Sequence, residues 1–175
     1  MSLDLGKKFL SQKNFKDAEK IFLDLNKNNN NFEINYNLAI INFELKNIKK
    51  SLKFFDKCKK IDPKSLNTYL KVAYLEQSTG DIEKSLSTYL KVLDINIRDI
   101  RAYYGIFSLN PNFLKTHHFE VIKQINDNPS VNILEKFLSK FLLSKKEKNE
   151  RNFEKELAFL NNSHNLCFES KKEYN

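Results

Sequence analysis

The residues able to do chemistry are few and scattered. His117 and His118 are adjacent, and neighbours on a helix point about 100° apart, so this spacing predicts that they do not chelate one ion together. His164 and Cys167 stand three residues apart and can share a helix face, but two donors without a third or fourth do not make a zinc site. Cys58 and Cys167 form no CxxC pair; two distant thiols fit a reducing cytoplasm better than a disulfide. Gly6, Gly80 and Gly105 are too far apart for a phosphate-cradling loop. No serine or cysteine has the local context of a nucleophile. The expectation is a chain with no catalytic residue, no metal and no cofactor, and hence a binding protein.

What must carry binding residues is helical. The 175 residues include 15 Phe and 7 Tyr but 3 Gly and 3 Pro, which disfavours a turn-rich β protein. The formal charge is +8, yet it comes from 27 Lys and 3 Arg, in a chain with 23 Asn and 5 Ala. Base readout and phosphate forks favour Arg, and Lys, Asn and Ile are favoured together by AT-rich codons. The lysines also read as interleaved with acids along solvated faces, which argues against a nucleic-acid partner. No apolar run approaches membrane-spanning length, and Met1–Lys8 has no secretory h-region.

One motif is written twice at a spacing of 34 residues: Asn35-Tyr36-Asn37-Leu38-Ala39 aligns with Tyr69-Leu70-Lys71-Val72-Ala73, and Asn47-Ile48, Ser51-Leu52, Phe55 and Ile61 with Asp81-Ile82, Ser85-Leu86, Tyr89 and Ile95. An earlier copy starts at Leu5-Gly6, and Asn14-Phe15 begins its second helix. The pattern predicts helix pairs over about 32–45 with 48–60 and 66–78 with 82–94, then a lone first helix over 98–109 that Asn110-Pro111 cuts short. Gly80 suits positive φ, Asp81 and Asn14 suit N-caps, and Asn28 to Asn31 suits a loop. Small residues (Gly6, Ala39 and Ala73 against Ala18, Ser51 and Ser85) predict close helix crossings. Leu5, Leu38, Val72, Phe22, Phe55 and Tyr89 should fill the grooves beside them. Residues 112–126, with Leu114, His118, Val121, Ile122 and Ile125 on one face, predict another helix, and Ile133–Leu143 a further one. Leu143-Ser144, Asn152-Phe153 and Leu160 echo the opening of the chain as a weak fifth repeat, with Glu156 where a small residue belongs. Glu169–Asn175 is polar and is expected to fray.

The period and the small/large alternation resemble the tetratricopeptide repeat. The resemblance implies an all-α, right-handed solenoid of stacked helix-turn-helix hairpins with about 9–10 helices. Residues 1–110 would form the array (repeats at about 2–31, 32–65 and 66–97, and the first helix of a fourth at 98–109), and 111–175 a degenerate helical extension. In such arrays the first helices line a concave face, which here would bring together Glu33, Tyr36, Ile40, Phe43, Asn67, Leu70, Tyr74, Gln77, Arg101 and Tyr104. An aromatic wall with occasional polar groups suits an extended peptide or a docked helix, so the implied function is a non-catalytic, cytoplasmic, protein-binding scaffold. Some members clamp a partner's terminal carboxylate. Asn37 and Lys71 fit that pattern, whereas Leu3, Lys7 and Asn67 depart from it. Residues 102–175 are also similar to the helices that precede the catalytic domain in bacterial sulfotransferases carrying these repeats. On that alternative the chain would be the substrate-presenting part of an enzyme whose catalytic domain lies elsewhere. The C-terminal helices would then dock that domain, or pair with a second copy.

Overall fold

A computed structural model describes residues 2–172, with side chains through Phe168. Among the described residues there are ten helices and no strand. They are α1 (Leu3–Ser11), α2 (Phe15–Asn28), α3 (Phe32–Glu44), α4 (Ile48–Ile61), α5 (Leu66–Ser78), α6 (Ile82–Ile95), α7 (Ile100–Leu109), α8 (Thr116–Asp127), α9 (Ile133–Asn149) and α10 (Phe153–Lys172). The chain divides into two compact units, one up to Thr88 and one from Tyr89 onward.

In the first unit each hairpin turns in the same way. Lys13, Lys46 and Gly80 have φ of 57°, 61° and 83°. The amide of the next residue reaches back five positions: Asn14 donates to the Phe9 carbonyl (2.9 Å), Asn47 to Asn42 (2.7 Å) and Asp81 to Glu76 (2.9 Å). This is the Schellman closure, which satisfies carbonyls that the helix end leaves unpaired. Glycine is suited to it at residue 80, whereas lysine carries the strain at 13 and 46. Asn14 was expected to cap α2 through its side-chain oxygen. Instead its amide donates to Asp17 (2.9 Å), and no side-chain cap bond forms. The Schellman turn has already fixed the entry to α2, so the side chain is left for the first-turn acid.

Between hairpins the chain uses side-chain caps. Asn31 accepts from the Ile34 amide at 2.9 Å and Ser65 from the Thr68 amide at 3.4 Å. The asparagine run is held from the next helix: buried Asn35 donates to Asn30 Oδ1 and the Asn31 carbonyl, each at 2.7 Å.

The small residues meet as the sequence predicts. Ala39, Ala73, Ala18, Ser51 and Ser85 are fully buried. Ser51 Oγ donates to the Ala39 carbonyl and Ser85 Oγ to the Ala73 carbonyl, both at 2.8 Å. A serine at the crossing therefore does two things: it admits the partner backbone and bonds to it. A Cβ on Gly6 would stand 3.0 Å from the Phe22 ring. Phe22, Leu38, Phe55 and Val72 form the core beside these crossings, each contributing roughly 1.5–3 kcal/mol. Leu5 does not join them; it is 41% exposed on α1.

In the second unit Tyr89 is buried at the place Phe55 has one repeat earlier. Its ring lies against Gly105, where any Cβ would overlap it. Asp99 caps α7 by accepting from the Arg101 amide (3.0 Å). Asn132 and Glu135 cap α9 reciprocally, at 2.9 and 3.0 Å. The helix expected over 112–126 begins only at Thr116, and Phe119 joins Ile122 and Ile125 on its buried face. The apolar helix at Ile133–Leu143 and the echo of the chain's opening at Leu143-Ser144 are one continuous element, α9. The turn to α10 repeats the first-unit geometry: Arg151 has φ 61° and the Asn152 amide reaches the Glu147 carbonyl at 2.9 Å. Ser163 Oγ donates to the Phe137 carbonyl at 3.3 Å across the α9–α10 hairpin, so the close approach is made away from Glu156. Of the tail expected to fray, 173–175 lie outside the described residues, and α10 runs to Lys172.

Candidate functional site

The two histidine rings meet although their Cα–Cβ bonds diverge. Their rings lie 3.8 Å apart between centroids, with His117 Nε2 and His118 Nε2 separated by 3.0 Å. Two long side chains in the first turn of α8 can fold toward each other although their Cα–Cβ bonds diverge. His118 Nδ1 accepts from the Lys115 amide (2.9 Å), so the proton of the neutral ring sits on Nε2 and is donated to His117 Nε2. The pair is a helix-start clasp, and among the described residues no group of three or more metal-ligating side chains occurs. Burial, then the nearby His117 and Lys115, push the His118 pKa down.

Neither cysteine is in a disulfide. Cys58 is fully buried on α4, its thiol near the Phe32 carbonyl at 3.8 Å. Burial pushes its pKa up to about 11, so it stays a protonated, unreactive thiol at neutral pH.

The residues expected to line a groove fall into two sets. In the first unit, Tyr36, Ile40 and Phe43 on α3 are half-buried and pack on the core formed by Ala39, Phe55, Val72 and Leu75. The Tyr36 ring meets Phe55 edge-on at 5.8 Å. From α5, Tyr74 is 54% exposed and its ring meets Phe43 edge-on at 5.9 Å, so α3 and α5 share an aromatic strip. Asn67 is exposed beside half-buried Leu70 and Gln77 on the same helix. Glu33 is exposed at the start of α3 and pairs with Lys7 of α1. This pair raises the Lys7 pKa, chiefly through the hydrogen bond to Glu33. Asn37, one of the two residues matching a carboxylate clamp, donates to the Glu33 carbonyl at 2.9 Å.

In the second unit Arg101 and Tyr104 lie on α7. Arg101 stands among the residues expected to line the groove. Its guanidinium holds Asp99 through Nε at 3.0 Å and Nη2 at 2.6 Å, so it braces the cap of its own helix. Tyr104 is 40% exposed and meets Phe141 of α9 edge-on at 5.8 Å.

Two side chains beside these residues escaped sequence reasoning. Lys46 Nζ stands 5.6 Å over the Phe43 ring. Its alignment with Gly80 marks it as a turn residue, and spacing says nothing of where its side chain lies. Phe141, with Lys145 4.9 Å over its ring, lies where the regular period has lapsed, and no spacing pointed to it.

The tetratricopeptide-repeat profile matches positions 32–65, which hold the α3–α4 hairpin and end at Ser65, the cap of α5. Residues 32–65 are a tetratricopeptide repeat. No curated protein matches the chain in sequence. Solved tetratricopeptide-type folds do match in structure. A crystal structure of MamA is 12% identical, with a TM-score of 0.69 over 98% of this chain and 99% of its own. MamA from Desulfovibrio magneticus is 14% identical, with a TM-score of 0.66 over 95% and 93%. YrrB, a tetratricopeptide-repeat protein with an unusual peptide-binding site, is 16% identical, with a TM-score of 0.56 over 74% and 68%. The fold is that of an all-α helical repeat solenoid. Among the described residues, no helix is long and apolar enough to cross a membrane.

Proposed function

We propose that this chain is a non-catalytic interaction scaffold, and that its α3–α5 aromatic strip holds an extended peptide or a docked helix of a partner protein. The observation that carries the reading is Tyr74: a large ring 54% exposed, held edge-on by Phe43, and outside the core cluster of Ala39, Phe55, Val72 and Leu75. A ring that adds little to the core yet is held in one place costs little further entropy on binding. Asn67 and Gln77 on the same helix supply polar groups able to fix a peptide's register. The peptide-binding site of YrrB, on a similar fold, supports the class of ligand.

Tyr36 and Phe43 double as packing residues, so truncating them would confound binding with stability. Peptides selected from a random display library on the full chain should lose most of their affinity for Tyr74→Ala, whose helical circular dichroism stays unchanged. Selected peptides that bind Tyr74→Ala and Asn67→Ala as tightly as the parent would overturn the assignment.

A further inference from the structure

Charge and apolar surface coincide on a different face of the first unit, made by the second helices of two hairpins. Helix α4 carries Lys49, Lys50, Lys53, Lys57, Lys59 and Lys60 against Asp56 alone, a net +5 of the chain's formal +8. The expected interleaving of lysines with acids therefore fails on this helix. Asp56 is taken by Lys59 at 2.7 Å, while no ion pair engages Lys50 or Lys53 among the described residues. Those two and Lys57 follow at intervals of three and four, on one face of α4.

That face borders a cleft of about 240 Å³ between α2 and α4, lined by Glu19, Leu23, Lys50, Lys53, Phe54 and Lys57. Its floor is carbon. Leu23 is 40% exposed, and the half-buried Phe54 ring, which packs on the cores on both sides of it, has Lys57 Nζ 5.1 Å over its face. The opening thus offers a seat for one large apolar side chain with three ammonium groups on its rim.

We propose that the α2–α4 cleft is a second docking surface, for an acidic amphipathic helix that inserts one Leu- or Phe-sized anchor. Carboxylates three or four residues either side of the anchor would meet Lys50, Lys53 and Lys57, and charge complementarity of this kind sets specificity and association rate. The chemistry favours such a helix over a nucleic acid. Neither α2 nor α4 has an arginine to fork a phosphate, and a phosphate backbone makes no use of an apolar floor. It also favours a helix over a lipid surface, since a recessed seat admits one side chain rather than a plane of acyl chains.

A synthetic helix with one leucine anchor flanked by glutamates, labelled with a fluorophore and titrated with the full chain by anisotropy, tests this. Binding should weaken as salt is raised. Lys50→Glu/Lys53→Glu/Lys57→Glu should weaken it roughly tenfold or more, and replacing the anchor by serine at unchanged peptide charge should abolish it. Tyr74→Ala should leave it intact, which separates this surface from the α3–α5 strip. Equal binding of the serine peptide, or undiminished binding by the triple variant, would overturn the proposal. So would lysine-dependent binding of duplex nucleic acid or phosphatidylserine vesicles that is tighter than binding of the peptide. The three lysines are solvent-facing, so the variant keeps its helical signal.

Discussion

His118 joins two functions in one ring: it accepts a backbone amide at the start of α8 and packs against Tyr103 and Phe113, with ring centroids at 6.0 and 6.2 Å. Only the neutral ring can do the first, because a protonated Nδ1 cannot accept. Burial lowers its folded pKa below the ordinary value of 6.5. Between the two values the unfolded chain binds more protons than the folded one, so stability is fully present above about pH 6.5 and falls as pH drops toward the folded pKa. Urea unfolding at pH 7.5 and pH 5.5 should show this loss. His118→Gln, which can still cap through its side-chain oxygen, should flatten the dependence in that window. An unchanged slope would mean the clasp does not couple to folding.

The hairpin turn is the recurring device at the element scale, and it is chemically uneven. Gly80 adopts φ 83° freely, whereas Lys46 and Arg151 are each held at 61°. Left-handed backbone costs a side-chain-bearing residue about 1–2 kcal/mol, partly offset by the larger entropy glycine loses, about 0.5–1 kcal/mol. Arg151→Gly should therefore raise stability by about 0.5–1 kcal/mol, seen as a higher urea midpoint at constant m-value. The opposite outcome belongs to Gly105, whose missing side chain makes room for Tyr89. Gly105→Ala should destabilise by about 1–3 kcal/mol, and Gly105→Ala with Tyr89→Phe should not rescue it, because the overlap is with the ring carbons rather than the hydroxyl.

At the scale of the whole molecule, a repeat solenoid is stabilised by each hairpin and its contacts with its neighbours, rather than by one central core. The core around Ala39, Phe55, Val72 and Leu75 lies in the unit ending at Thr88. Phe55→Ala should remove about 3–5 kcal/mol locally. Amide exchange followed by mass spectrometry should then show α3–α5 losing far more protection than α8–α10. Uniform loss across the chain would indicate one cooperative unit.

The sequence alone determined the parts governed by local chemistry. The 34-residue period, the small residues at the crossings, the aromatic and aliphatic fillers and the turn at Gly80 are read from residue size and backbone preference, and they specify helix pairs. Tertiary structure decided what depends on neighbours distant in sequence or on side-chain direction. The expectation for Leu5 failed for that reason: its side chain stays exposed on α1 instead of filling a groove. The histidine clasp needed actual side-chain torsions, since a diverging pair of Cα–Cβ bonds does not forbid two rings from meeting. The α2–α4 cleft was out of reach because its two helices are separated in sequence by the whole of α3. Periodicity shows which face of a helix is apolar, but which faces stay open is settled only when the helices pack.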